Sequence, residues 1–351
     1  MNPLLDIMFG FISLLVVILI VIMVMGILRS KKSRDEKSWE SGIALLVSMA
    51  IFSDDQPEEF NELLARNRKL LLKPGFRQSL INGLTLARKE LAGTATVPLI
   101  QFYESQGLDR DSYKKLKSKK WHVNAKGVQE LAIMEQKKFV KDIFKLTNHP
   151  NESVRNEAQS ALVGFYGFAG LRFLNVTQYV ISDWQQIQLL DRLEKTMPQN
   201  VQKLEKWLGS TNPSVRIFSL KLAALYNCYG LYDQIMEIFL SGSLEEKIEA
   251  LTYLRRYPRE DTASKIAGMY GSEVPSFKLA TLHALEEIGT PKEVPFLLKR
   301  LHDHDDGLKL ASARALAHIH PRGVSFLRGH LFADENPWKS IFLQIENERA
   351  A

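Results

Sequence analysis

The sequence predicts an all-α fold, one membrane-spanning helix followed by an α-solenoid of stacked helical hairpins. Three observations carry that expectation. From Val154, anchor positions at 184, 215, 246, 277, 308 and 338 follow at intervals of 30 or 31 residues, and a fixed period of this size with helix signals in every unit marks a repeat array. The residue after each anchor is basic, as Arg155, Arg216, Lys247, Lys278, Lys309 and Lys339, with Gln185 the exception. Near the start of the chain, Ile7–Leu28 is a run of 22 residues without a charge.

That run is the first element. As a helix it would extend about 33 Å, against a hydrocarbon core of about 30 Å, so residues 1–28 are expected to form a transmembrane anchor. A cleaved signal peptide would open on a basic region and carry a shorter apolar stretch with a small-residue cleavage site. Here only Asp6 precedes the run as a charge, and no such site follows it. Arg29, Lys31, Lys32, Arg34 and Lys37 all lie after the run, and no Lys or Arg lies before it. By the positive-inside rule the N-terminus is outside and the repeats are cytoplasmic, at the inner membrane if the source is bacterial. The single cysteine, Cys228, excludes an intrachain disulfide.

Residues 29–41 read as a basic juxtamembrane linker, and residues 42–122 as a divergent helical region. Within the latter, Gly42–Phe52 is apolar but only eleven residues long, too short for a second span, and is expected as a buried or interfacial helix. Glu58–Leu72, Gly75–Leu91 and Ala125–Met134 read as further helices from their apolar spacing.

Residues 123–351 carry the repeats, about seven regular units with a C-terminal cap. Upstream of the anchors an apolar column runs Leu204, Ile235, Ile266, Leu297 and Leu327. Between the columns lie polar breaks rich in Asn, Asp, Ser, Gly and Pro, at Asn148–Asn151, Gly209–Pro213, Ser241–Ser243, Gly271–Pro275, Asp303–Gly307 and Asp334–Pro337. Such breaks end one helix and cap the next. Four places beyond the anchor a small side chain recurs, as Ala158, Ser219, Ala250, Thr281 and Ser312, followed by a leucine column at Leu162, Leu254, Leu285 and Leu316. Neither helix of a unit can bury its apolar face alone, so stacking supplies the core. The unit anchored at Trp184 departs most, with Gln188 in the small column and Arg192 in the leucine column.

The segments Asn148–Leu162 and Thr211–Leu222 resemble HEAT repeats, in particular the short repeat named after phycobilisome lyases, from about Val123 to the C-terminus. The resemblance implies that the basic residue after each anchor ties to an acidic or amide residue of the preceding turn, for which Glu152, Asp183, Glu245, Glu273, Asp305 and Glu335 are available. It does not import a lyase activity, because the name travels with a packing unit and not with a site.

Composition fits one elongated body beyond the anchor, with 45% hydrophobic and 25% charged residues and a net charge of +6. Much of that excess is local, in the juxtamembrane group and in Tyr113–His122. Arg29, Lys31, Lys32, Arg34, Lys114, Lys115, Lys117, Lys119 and Lys120 are the candidate contacts to an anionic surface, each contributing about 1 kcal/mol near lipid headgroups. A solvated helix face is the plainer reading of that run. The ladder of Arg155, Arg216, Lys247, Lys278, Lys309 and Lys339 reads first as pairing within and between repeats.

No motif announces chemistry. The densest cluster, His302–Asp306, falls where every other unit has a turn, so a capped, solvated turn is preferred to a metal site. Cys228 reads as an inert core thiol, and Trp184 and Trp338, sitting in the anchor column, read as core. Phe165, Tyr166, Phe168, Tyr226 and Tyr229 read first as packing and second as the lining of a peptide groove. No catalytic residue, cofactor or metal is expected. The sequence therefore points to a non-enzymatic, membrane-anchored interaction scaffold, an accessory subunit of a membrane or envelope complex, with a polymer-synthesising glycosyltransferase as one case of such a partner. The alternatives are a lyase-like enzyme of the phycobilisome-lyase type, or lipid or nucleic-acid binding through the basic surface.

Overall fold

The structure, a computed structural model, describes residues 35, 37–52, 56–91, 96–194, 202–272, 274–320, 322–330 and 336–350. The expected anchor Ile7–Leu28, its flanking Arg29, Lys31, Lys32 and Arg34, and the acidic residues Glu273 and Glu335 lie outside the described residues. Among the described residues every element is helical, and no helix is long and apolar enough to cross a membrane. The chain divides into two compact units, up to Phe165 and from Tyr166. The boundary read from sequence at 122/123 falls inside a helix of the first unit, α6 (Trp121–Ile133).

The first unit holds α1 (37–51), α2 (Pro57–Asn67), α3 (Pro74–Glu90), α4 (Val97–Ser105), α5 (Leu108–Leu116), α6, α7 (Val140–Lys145) and α8 (Glu152–Tyr166, whose last residue opens the second unit). Helix α1 contains the apolar segment Gly42–Phe52. It lays Ile43, Leu46, Val47 and Ala50 into one cluster with Phe60 of α2 and with Phe76, Leu80, Ile81 and Leu84 of α3. Trp39 meets Phe76 edge to face at 5.7 Å. The segment is thus a packed helix, and its apolar run is explained by burial. Helix α2 stops five residues short of Leu72, in turns through residues 68–72.

Helices α4 and α5 have no counterpart in the sequence reading. In α5 the charges of LDRDSYKKL mask the spacing of Leu108, Ser112 and Leu116, all buried. What places α5 against α6 is Gly127. A Cβ there would lie 2.4 Å from the Leu116 amide nitrogen and 2.7 Å from the Ser112 carbonyl oxygen, so the backbones meet where only hydrogen fits.

The second unit is built of hairpins. First helices are α10 (Gln202–Leu208), α12 (Tyr232–Ser241), α14 (Thr262–Gly268), α16 (Val294–Arg300) and α18 (Val324–His330). Second helices are α9 (Asp183–Glu194), α11 (Pro213–Leu225), α13 (Leu244–Arg256), α15 (Pro275–Ile288), α17 (Asp306–Ile319) and α19 (Trp338–Ala350). Second helices pack on one another in series, α11 on α13, α13 on α15, α15 on α17 and α17 on α19. The columns account for this. Leu204, Ile235, Ile266, Leu297 and Leu327 are all fully buried, as are Ser219, Ala250, Thr281, Ser312, Leu254, Leu285 and Leu316. The hydroxyls of Ser219 and Ser312 return to the carbonyls four residues back, Val215 and Leu308, at 2.7 Å each, so a small polar residue is tolerated at the closest approach.

One unit breaks the pattern. Its first helix is replaced by a nine-residue 3-10 stretch, Gly167–Asn175, a length rare for that geometry because its hydrogen bonds are poorer. In α9 the buried face is Gln185, Leu189 and Leu193, each at 0% exposure, and Trp184 is 66% exposed. The anchor of this unit is Gln185, and the assignment of Trp184 to the core, with Gln188 and Arg192 in the inner columns, is corrected. A register counted by the repeat period chose the tryptophan, whereas helical phase selects the glutamine one place on.

Candidate interaction surface

The basic ladder is not a stripe. Arg155 is buried and donates to the carbonyls of His149 and Pro150, at 3.0 and 2.9 Å. Arg216 donates to the Ser210 carbonyl at 2.6 Å and, at 2.5 Å, to Glu246 in the next hairpin. Lys247 and Lys278 lie 5.9 and 5.4 Å from the ring centres of Phe277 and Tyr270. Lys309 pairs with Asp306 at 2.7 Å, and Lys339 is exposed. Arg155 and Arg216 thus both reach backbone carbonyls of the turn before their own helix, those of His149, Pro150 and Ser210. Asp305 caps α17, accepting from the Leu308 amide at 3.0 Å.

The basic run Tyr113–His122 divides as well. Lys115 turns inward and hydrogen-bonds Gln78 at 2.6 Å and Glu130, which also accepts from Ser112 at 2.5 Å. Burial pushes the Lys115 ammonium below the ordinary lysine value, with Glu130 opposing. Lys117 binds Asp142 at 2.9 Å. That leaves Lys114, Lys119 and Lys120 facing solvent.

The turn around His302–Asp306 is structural. Asp303 accepts from the Tyr270 hydroxyl at 2.5 Å, Asp305 is the cap, and Asp306 holds Lys309. Among the described residues no group of three or more His, Cys, Asp or Glu is arranged to hold a metal. Cys228 is buried, and burial pushes its thiol up to about 11, which leaves little thiolate at neutral pH. Phe168 packs on Trp207 and Tyr226 at 5.8 and 5.5 Å, and Phe165 is buried, while Tyr229 is exposed.

Exposed large apolar side chains occur in both units, among them Leu72, Tyr229 and Leu343, and one group of them lies in the divergent unit. Val180, Trp184 and Ile187 are 73%, 66% and 55% exposed. At the place of Trp184 the other units carry Ser153, Ser214, Glu245, Ser276, Gly307 and Pro337, so the fold itself does not ask for a large ring there. The loop before α9 is nevertheless held firmly. The Asn212 amide donates to the Tyr179 carbonyl at 3.1 Å and the Thr177 carbonyl at 3.4 Å. The Ile181 amide donates to the Ser214 hydroxyl at 3.0 Å, and the Gln186 amide to the Ile181 carbonyl at 3.0 Å. Ser214 in turn donates to Asn212 at 2.8 Å, closing the network, and Lys221 fixes Gln186 at 3.0 Å. Buried Ile181 pins the centre of the loop, so Val180 is turned out beside it. No sequence signal other than the odd phase of α9 marked this surface.

Residues 233–317, from α12 into α17, match the family described as HEAT repeats. Curated proteins give no match. Among solved structures, the chain is similar to an engineered protein, 16% identical over 86% of this chain and 87% of the other, with a TM-score of 0.40. It is similar to human deoxyhypusine hydroxylase in complex with glycerol, 13% identical over 80% and 96%, with a TM-score of 0.31. Kap121p bound to Nup53p is 12% identical over 83% of this chain and 34% of its own length, with a TM-score of 0.31. Each of these scores is below 0.5, and none bears on what this chain binds.

Proposed function

We propose that this HEAT-repeat chain is a membrane-tethered scaffold that presents its repeats to a protein partner on the cytoplasmic face. The observation that carries the reading is the exposed apolar tip of Val180, Trp184 and Ile187 on a loop fixed by Asn212, Ser214 and Gln186. A folded chain forgoes about 1.5–3 kcal/mol for each large apolar side chain it could bury and leaves in water. Holding such side chains outward on a rigid support is what a binding anchor requires, because pre-ordering lowers the entropy lost on association. The uncharged run Ile7–Leu28 followed by Arg29, Lys31, Lys32 and Arg34 supports the tether and its orientation, and tethering raises the local concentration of a partner in the same membrane. The period of 30 or 31 residues supports the finer resemblance to the short phycobilisome-lyase repeat. A non-enzymatic role is supported by the thiol of Cys228 being held protonated and by the carboxylates near His302 being used structurally.

Protease treatment of intact and permeabilised cells carrying a C-terminally tagged chain tests the reading. The expected result is a chain extracted only by detergent, protected until permeabilisation, and co-purifying with one dominant membrane-associated protein. A chain recovered without detergent, or repeats digested from outside, would overturn the tether or its orientation.

A further inference from the structure

Resting on the scaffold reading, we propose that the face formed by Val180, Trp184 and Ile187 receives an amphipathic helix whose apolar ridge is flanked by Lys and Arg. Three features of α9 define this occupant.

The first is geometry. Residues three, four and seven apart share a helix face, so Trp184, Ile187, Gln188 and Asp191 run along about 10 Å of one side of α9. An exposed helix face of two turns is matched by the ridge of another helix. Strand addition needs a sheet edge, and the described residues contain no strand.

The second is charge. Asp183, Asp191 and Glu194 are exposed around this face, with Arg192 as the basic exception. Asp183 keeps 87% of its side chain in solvent although Lys221 stands 3.9 Å away. Three carboxylates against Arg192 and the Lys221 ammonium leave the rim of the patch net acidic, which complements a basic helix and disfavours an anionic bilayer, so a protein segment is favoured over lipid headgroups.

The third is order. In other units the first helix of the hairpin is α-helical. Here the 3-10 stretch Gly167–Asn175 and the clamped loop take its place, which sets the tip apart from the regular packing while fixing its position. Trp184 then acts as the central anchor, Val180 and Ile187 as its neighbours, and Asp183 and Asp191 as the register-setting rim.

The test is site-specific photocrosslinking in living cells with the full-length chain, placing p-benzoylphenylalanine at position 187 and, separately, at the exposed position 229. The peptide joined to position 187 is then sequenced. The expected product is a segment of another protein with apolar residues at helical spacing beside Lys and Arg. Its yield should fall about tenfold in Trp184→Ser, the residue that other units carry there, and severalfold in Asp191→Lys, with the helical circular dichroism signal unchanged in both. Crosslinks at 187 to lipid, to a second copy of this chain, or to an acidic or Pro-rich extended segment overturn the proposal. A protein captured at 229 but none at 187 removes this face and leaves the scaffold reading standing. Capture of protein at neither position removes both.

Discussion

Arg216 at the start of α11 donates to Glu246 at the start of α13 at 2.5 Å, and the same carboxylate accepts from the Ser243 amide at 2.8 Å. One buried acid therefore closes the capping box of its own helix and ties that helix to the preceding hairpin. The same device recurs in the other layer. Glu293 closes the box opened by Thr290 and accepts from Ser264 of the neighbouring hairpin at 2.6 Å.

Removing one partner of such a pair leaves the other buried and uncompensated. Glu246→Ala and Arg216→Ala are each expected to cost about 3 kcal/mol, and the double variant less than the sum, because the pair is lost only once. Urea unfolding of the four chains measures this, and strict additivity would show that the two groups are not coupled.

Acid should weaken the repeats through the same two residues. Burial pushes the carboxyls of Glu246 and Glu293 up, but hydrogen bonds outweigh it, from Arg216 and Ser243 in one case and from Ser264 and Thr290 in the other. Both therefore lie below the ordinary 4.5. A depressed carboxylate stabilises the fold fully above its unfolded value and loses that contribution as pH falls through the folded one. Thermal unfolding followed from pH 7 downward should fall more steeply below about 4.5 in the parent than in Glu246→Gln combined with Glu293→Gln.

Thr281 sits fully buried in the small column, and its hydroxyl has no hydrogen-bond partner, whereas Ser219 and Ser312 at equivalent places both have one. An unsatisfied buried hydroxyl costs about 1–3 kcal/mol. Thr281→Val should therefore hold or raise the unfolding midpoint, and Ser219→Ala should lower it by about 1 kcal/mol. A destabilised Thr281→Val variant would contradict this account.

Gly127→Ala is expected to loosen α5 from α6 in the first unit. The added methyl would meet backbone atoms at 2.4 and 2.7 Å, which cannot rotate away as a side chain can, so the cost is about 1–3 kcal/mol or more. Amide exchange in Leu108–Leu116 should quicken while that of α15 and α17 stays unchanged.

Ser214→Ala removes the acceptor of the Ile181 amide. Exchange at that amide should quicken about tenfold, equal to about 1.4 kcal/mol, with smaller changes elsewhere in α11. Unchanged exchange would mean that the loop is held by Asn212 and Gln186 alone.

The repeats were legible in the sequence because their columns are apolar or small at a constant period, and Leu204 through Leu327 are all buried as that pattern requires. The turns were legible because Asn212, Ser243 and Asp305 are capping residues with a local role. Helix α5 was not, since Asp109, Asp111 and Lys115 interrupt the apolar spacing and are satisfied by partners distant in sequence, Lys138 for Asp109 at 2.9 Å, Arg77 for Asp111 at 2.5 Å and Glu130 for Lys115. The binding face was hidden for a different reason. Counting by the repeat period puts Trp184 in the anchor column and Gln185 in the basic one, and only the phase of the packed helix reverses the two.

Asn212 is the N-cap of α11 and the clamp on the loop that carries Val180. The support of the tip thus belongs to the next hairpin. A pull applied at Trp184 is transmitted through Asn212 and Ser214 into the first turn of α11, and from Arg216 in that turn to Glu246 beyond it. The tip is therefore braced by the hairpin that follows it and, through the Arg216–Glu246 pair, by the one after that.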